Sequence, residues 1–94
     1  MRPKNRAPRH PGEILQRMFL DDMGLSQSDL AHHLKWKPGK INELVNKKRG
    51  ITAATALALA DALKTTPEFW LNPQSNYDLW IAEQTYTKVS AIGA

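Results

Sequence analysis

The sequence predicts an all-α domain of five short helices, and three observations carry that expectation. Apolar residues recur three and four positions apart along most of the chain. Serine, threonine or proline stands where the periodic stretches begin. No run of useful length alternates with the period of two that a half-buried strand requires, and no internal repeat is present. With 94 residues and no cysteine, the chain is one small domain near the size at which a single core holds without staples. The fold therefore rests on packing of the 41% of residues that are apolar. No apolar run approaches the roughly 18 residues of a membrane span, and Met1, Arg2, Pro3 and Lys4 lead into no signal-peptide segment. A cytoplasmic protein with no membrane partner is expected.

Taken in order, the chain opens on a basic arm, residues 1–9, in which Arg2, Lys4, Arg6 and Arg9 alternate with prolines and no acid occurs before Glu13. His10 is expected to cap the first helix. Pro11 suits its first position, where the missing N–H has no partner to lose, and Ile14, Leu15, Met18 and Phe19 mark an inner face up to Gly24. Ser26 caps the second helix, favoured by Asp29 in its first turn; Leu30, Ala31 and Leu34 face inward. The third places Lys37 at the cap, Pro38 first and Ile41, Leu44 and Val45 on the core side, stopping near Gly50. Thr52 caps the fourth, where Ala53, Ala56, Leu57, Ala60 and Leu63 form a narrow stripe suited to close approach. Thr66, Pro67 and Glu68 open an aromatic fifth segment. Within it Pro73 either begins a new helix capped by Asn72 or kinks a single one. The domain is expected over 10–86, with a flexible tail over 87–94.

Charge is unevenly placed. Residues 1–50 carry eleven Lys/Arg against five Asp/Glu, whereas residues 51–94 carry two against four, so the first half is the one that attracts polyanions. Five short helices with a basic one in the middle suggest helix-turn-helix. That motif needs a small residue where its two helices cross and apolar residues about ten and thirteen positions later to anchor the reading helix; Ala31, Ile41 and Leu44 meet it. The expected fold class is thus a five-helix, repressor-like helix-turn-helix domain.

The candidate DNA-binding residues are Gln27, Lys37, Pro38, Gly39, Lys40, Asn42, Asn46, Lys47, Lys48 and Arg49. Gln27 falls at the start of the second helix, within reach of phosphate or a base edge. On the third helix Gly39, Asn42, Glu43 and Asn46 lie opposite the core side. Asn can pair bidentately with adenine N6/N7, and a plain solvated face has little reason to use this poor helix former twice. Lys37 and Lys40 suit phosphate or guanine, while Lys47, Lys48 and Arg49 neutralise backbone. Glu43 either accepts from cytosine N4 or holds a neighbouring lysine. Gly39 costs roughly 0.5–1 kcal/mol of helix propensity; it is there either to let bare backbone approach DNA or to take a positive φ in a strained turn.

Phe69, Trp70, Tyr77 and Trp80 gather four of the seven aromatics into twelve residues. With Ile81 they are the candidate dimer interface, the alternative being packing inside one chain. A two-fold dimer matches a palindromic operator, because one short helix reads only a few base pairs. His32 and His33 are adjacent, so they point about 100° apart and do not chelate one ion. No activated nucleophile, carboxylate pair or glycine-rich phosphate loop is present. No catalytic residue, metal or cofactor is expected, and the chain is not read as an enzyme.

Five segments in order, HPGEIL (10–15), LSQSDLAHHL (25–34), INELVNKKRGIT (41–52), ALALADAL (56–63) and TPEFWLNPQSNYDLW (66–80), together resemble the HigA-type antitoxins, members of the repressor-like XRE class of helix-turn-helix proteins. The resemblance implies a homodimer that represses its own operon and neutralises a HigB-like, RelE-fold messenger ribonuclease. An ordinary helix-turn-helix transcriptional regulator without a toxin is the alternative. Two positions depart from the family pattern: Lys35 stands where the tight turn usually carries Gly, and Pro73 where a helix former such as Leu is usual.

Overall fold

The computed structural model describes residues 6–93. Among them the chain forms five helices and no strand. The first, α1, is a continuous rod in three parts: α-helix at Pro11–Ile14, π-helix at Leu15–Leu20 and α-helix at Asp21–Met23. Then come α2 (Gln27–Leu34), α3 (Pro38–Val45), α4 (Ala53–Leu63) and α5 (Pro67–Glu83). No helix among the described residues is long and apolar enough to cross a membrane.

The helix starts are set by local chemistry. Ser26 Oγ accepts from Asp29 N at 2.9 Å while Ser26 N donates to the Asp29 carboxylate at 3.1 Å, a reciprocal capping box. Hydrogen bonding from Ser26, its backbone N–H first, holds the Asp29 carboxyl below its ordinary pKa. Thr52 and Thr66 cap α4 and α5 in the same way, each accepting at 3.2 Å from the N–H three residues on. Lys37 is extended and Pro38 takes the first position of α3, as expected. Lys35 ends α2 at φ 59°, a left-handed conformation adopted without glycine; such a residue costs about 1 kcal/mol or more.

Ten residues form the buried cluster: Leu15, Leu20, Leu30, Ala31, Ile41, Leu44, Ile51, Ala56, Leu59 and Trp70. α2 packs on α3, α4 on α5, and α1 on both α3 and α5. Several expectations are corrected here. In α1 Leu15 is buried and Ile14 and Phe19 pack against the cluster as expected, but Leu20 is fully buried too and Met18 is half exposed. The π stretch, where Asp21 N donates to Gln16 O, slips the register that α-helical spacing assumes. In α4 the buried face is Thr55, Ala56, Leu59 and Ala60, with Leu57 turned out to solvent. α3 stops at Val45 rather than near Gly50; the chain turns through Lys47 at φ 63°, which puts Lys47, Lys48 and Arg49 on the connecting loop. α5 runs through Pro73 as a single helix.

Trp70 is also corrected: it has no exposed surface and belongs to the monomer core, not to an interface. Its Nε1 donates to Thr65 Oγ1 at 2.7 Å, and Phe19 and Phe69 flank it with ring centroids 5.3 and 5.1 Å away. Such aromatic pairs add about 0.5–1.5 kcal/mol beyond their buried area.

Candidate nucleic-acid interface

α3 is held from behind and left open in front. Ile41 and Leu44 are fully buried, and the first turn of α1 lies against the far end of the helix. Gly12 makes that approach possible. A Cβ there would overlap Leu44 O and stand 2.5 Å from the Leu44 carbonyl carbon and 3.0 Å from Val45 Cα. Gly12 N donates to His10 Nδ1 at 2.9 Å, so His10 caps α1 as expected. His10 is 2% exposed. Burial, reinforced by Lys47, pushes its pKa below the ordinary 6.5, which keeps the ring neutral and Nδ1 able to accept.

The outward side carries Lys37, Pro38, Gly39, Asn42 and Asn46, all exposed. A Cβ on Gly39 would meet nothing within 4 Å, and its φ is not positive. Of the two roles open to Gly39, the strained turn is thereby removed and an unobstructed backbone face remains. Lys40 rests its ammonium over the Trp36 ring, 4.0 Å from the centroid, a contact worth roughly 0.5–1 kcal/mol at an exposed site. Lys35, Trp36, Lys37, Gly39 and Lys40 line one open cleft together with Glu43 and Arg49. Glu43 holds Arg49 rather than a lysine: Nη2 and Nε donate to one carboxylate oxygen at 2.8 and 3.1 Å.

Gln27 does not stand alone at the start of α2. Its Oε1 accepts from Asn42 Nδ2 and its Nε2 donates to Gln16 Oε1, both at 3.3 Å. Three helices thus meet through three amides. Asn46 folds back, Nδ2 donating to Asn42 O at 2.9 Å, which leaves its Oδ1 free of that bond. The loop beyond is tied to α5 by Gln74, 8% exposed, whose Oε1 accepts from Ile51 N at 2.7 Å and whose Nε2 donates to Asp78 at 2.9 Å. Lys47, Lys48 and Arg49 line a second cleft there with His10 and Tyr77. Arg6 and Arg9, the described end of the arm, share a third with Lys47; Arg2 and Lys4 lie outside the described residues. The outcome is an exposed face carrying Lys37, Gly39, Asn42 and Asn46, with Gln27 bonded to Asn42 and cations lining the three clefts.

The remaining interface candidates sit elsewhere on the molecule. Phe69 and Ile81 are 37% and 48% exposed and Tyr77 and Trp80 half-buried. Tyr77 lies edge-on to His10, centroids 4.9 Å apart. Trp80 Nε1 is enclosed without a hydrogen-bond partner among the described residues. Reasoning from the sequence missed Gln16, Trp36, Gly12 and Gln74; Gln16, Gly12 and Gln74 act through residues distant in the chain, Gln27, Leu44 and Ile51, and Trp36 through Lys40 one helical turn on.

Comparison with known proteins bears on the fold and the family. Residues 16–70 match the helix-turn-helix family. The chain is 47% identical over 90 residues to virulence-associated protein I of Dichelobacter nodosus, covering 95% of this chain and 83% of that protein. It is 40% identical over 86 residues to antitoxin HigA-1 of Vibrio cholerae, covering 92% and 81%. Among solved structures, the Pseudomonas aeruginosa antitoxin HigA with higBA promoter superposes with a TM-score of 0.82 at 36% identity, covering 90% of this chain and 98% of that one. The chain therefore belongs to the helix-turn-helix family of DNA-binding regulators, in its HigA-type antitoxin branch.

Proposed function

We propose that this chain is a homodimeric antitoxin that represses its own operon, placing α3 of each protomer in successive major grooves of a palindromic operator, and that it neutralises a HigB-like, RelE-fold messenger ribonuclease. The observation that carries the DNA reading is the outer face of α3: exposed Lys37, Gly39 and Asn42 with no side chain over the backbone at Gly39. Gln27 and Asn42 supply base-edge chemistry. Lys37, Lys40, Lys47, Lys48 and Arg49 supply phosphate attraction, which positions without specifying. The similar Pseudomonas aeruginosa antitoxin was solved with its promoter, and this geometry is compatible with the same use.

The dimer reading rests on Tyr77, Trp80 and Ile81, joined by Phe69 at the edge of its aromatic cluster. The toxin reading rests on the family. Neither residues 1–9 nor residues 87–94 contain an acid, and toxin contact is assigned to the folded domain or to the basic arm. Co-expression with the adjacent gene, followed by growth, and a gel shift with the DNA upstream of the operon test both halves. Rescue with a shift is the expected result. A shift without rescue would leave a transcriptional regulator with no toxin partner, and the absence of a shift would refute the DNA reading.

A further inference from the structure

The amide chain behind Asn42 has a direction, and one carboxylate sets it. Asp21 Oδ1 accepts from Gln16 Nε2 at 2.7 Å. An ionised carboxylate accepts and never donates, so Gln16 must turn its NH₂ toward Asp21 and its carbonyl toward Gln27. Gln27 answers with Nε2 and is left with Oε1 facing α3, and Asn42 answers that oxygen with Nδ2. Asn42 Oδ1 is thereby left for solvent, together with the second Nδ2 hydrogen. That is the acceptor and donor pair that adenine N6 and N7 require.

The π stretch of α1 makes this arrangement possible. Residues five apart on an α-helix point about 140° away from each other, whereas over Leu15–Leu20 the bonding shifts to i→i+5 and Asp21 N donates to Gln16 O. Gln16 and Asp21 then share a face. π segments occur frequently at functional sites.

We propose that Asp21 and Gln16 are positioning residues for DNA reading: through Gln27 they hold the Asn42 amide in one of its two orientations, and so fix the order in which its acceptor and donor are presented to an adenine. This rests on the assignment of Asn42 as a base-reading residue.

The test uses the full chain and a duplex selected by it from a random pool. Asn42→Ala first identifies the base pair whose substitution ceases to matter. The readout is the ratio of affinities for the selected duplex and for one substituted at that pair, measured at one salt concentration. Phosphate attraction, common to both duplexes, cancels from this ratio. Asp21→Lys puts a donor where only an acceptor stood, reverses all three amides and is expected to lower the ratio about tenfold. Asp21→Asn, able to donate or accept, removes the bias and lowers it about twofold. The double variant Asp21→Asn with Gln16→Glu moves the carboxylate one link along, keeps the charge and restores the ratio to that of the wild type. An unchanged ratio in Asp21→Lys, with Asn42→Ala still abolishing the preference, overturns the orientation inference alone. No position-specific loss in Asn42→Ala overturns it together with the reading beneath it.

Discussion

Gly12→Ala is a single methyl placed where α1 meets α3, and its cost can be worked from the contact. The added carbon would stand 2.5 Å from the Leu44 carbonyl carbon and 3.0 Å from Val45 Cα, whereas unstrained carbon contacts lie at about 3.5–4.0 Å. The obstacle is main chain, so no rotamer change relieves it; the first turn of α1 must move away from α3 by about 1 Å. Forcing atoms into a packed interior costs about 1–3 kcal/mol, occasionally more, and the upper end applies because backbone blocks the site. Alanine returns at most about 1 kcal/mol of helix propensity. The expected net loss is about 2 kcal/mol, which in a domain of this size lowers Tm by roughly 8–16 °C. Gly39→Ala is the matched control: the same change, no atom within 4 Å, and an expected gain of up to about 1 kcal/mol. Thermal melting followed by circular dichroism at fixed protein concentration reads both. Equal or higher Tm for Gly12→Ala would refute the close backbone approach of α1 to α3.

Four further outcomes follow from the same contacts. Gly39→Leu should melt no lower than wild type yet bind operator at least tenfold more weakly in an anisotropy titration, because the side chain enters the space reserved for the groove wall. The His10 pKa is lowered by folding, so the unfolded chain takes up the proton first; the stability from its cap is complete above about pH 6.5 and is lost as pH falls through the folded value. His10→Asn, which can still cap α1, should flatten the difference in Tm between pH 7 and pH 5. Gln74→Ala leaves the Ile51 N–H buried without its acceptor and should cost about 1–3 kcal/mol in urea denaturation. Trp80→Ala should weaken the dimer about tenfold or more by sedimentation; an unchanged dimer with an intact fold would take Trp80 out of the interface.

What was legible in the sequence is what local chemistry decides. Ser26, Thr52 and Thr66 each act on an N–H three residues on, and Pro11, Pro38 and Pro67 sit at helix starts for reasons internal to the helix. The core side of α3 was readable because Ile41 and Leu44 stand against polar neighbours. α4 is apolar nearly all round, so periodicity gave no means of choosing Leu59 over Leu57. The π stretch has no spacing signal of its own, and with it went the burial of Leu20 and the pairing of Gln16 with Asp21. Trp70 belongs to a dense aromatic cluster that fits an interface or a core equally well; only the positions of Phe19 and Thr65 separate them. Gly12 and Gly39 are the same residue in two first turns. One touches backbone and the other touches nothing, and that difference is tertiary.

The central claim is that the outer face of α3, backed by Gln27, is the surface that meets operator DNA. Amide and side-chain amide resonances of the ¹⁵N-labelled protein, followed by NMR through a titration with the duplex upstream of its own operon, test it most directly. The account predicts shifts concentrated at Gln27 and residues 37–46, with the side-chain NH₂ groups of Gln27 and Asn42 among them, and none at solvent-facing Met23 and Leu57. Shifts gathered on α4 or α5 while residues 37–46 stay in place would contradict it.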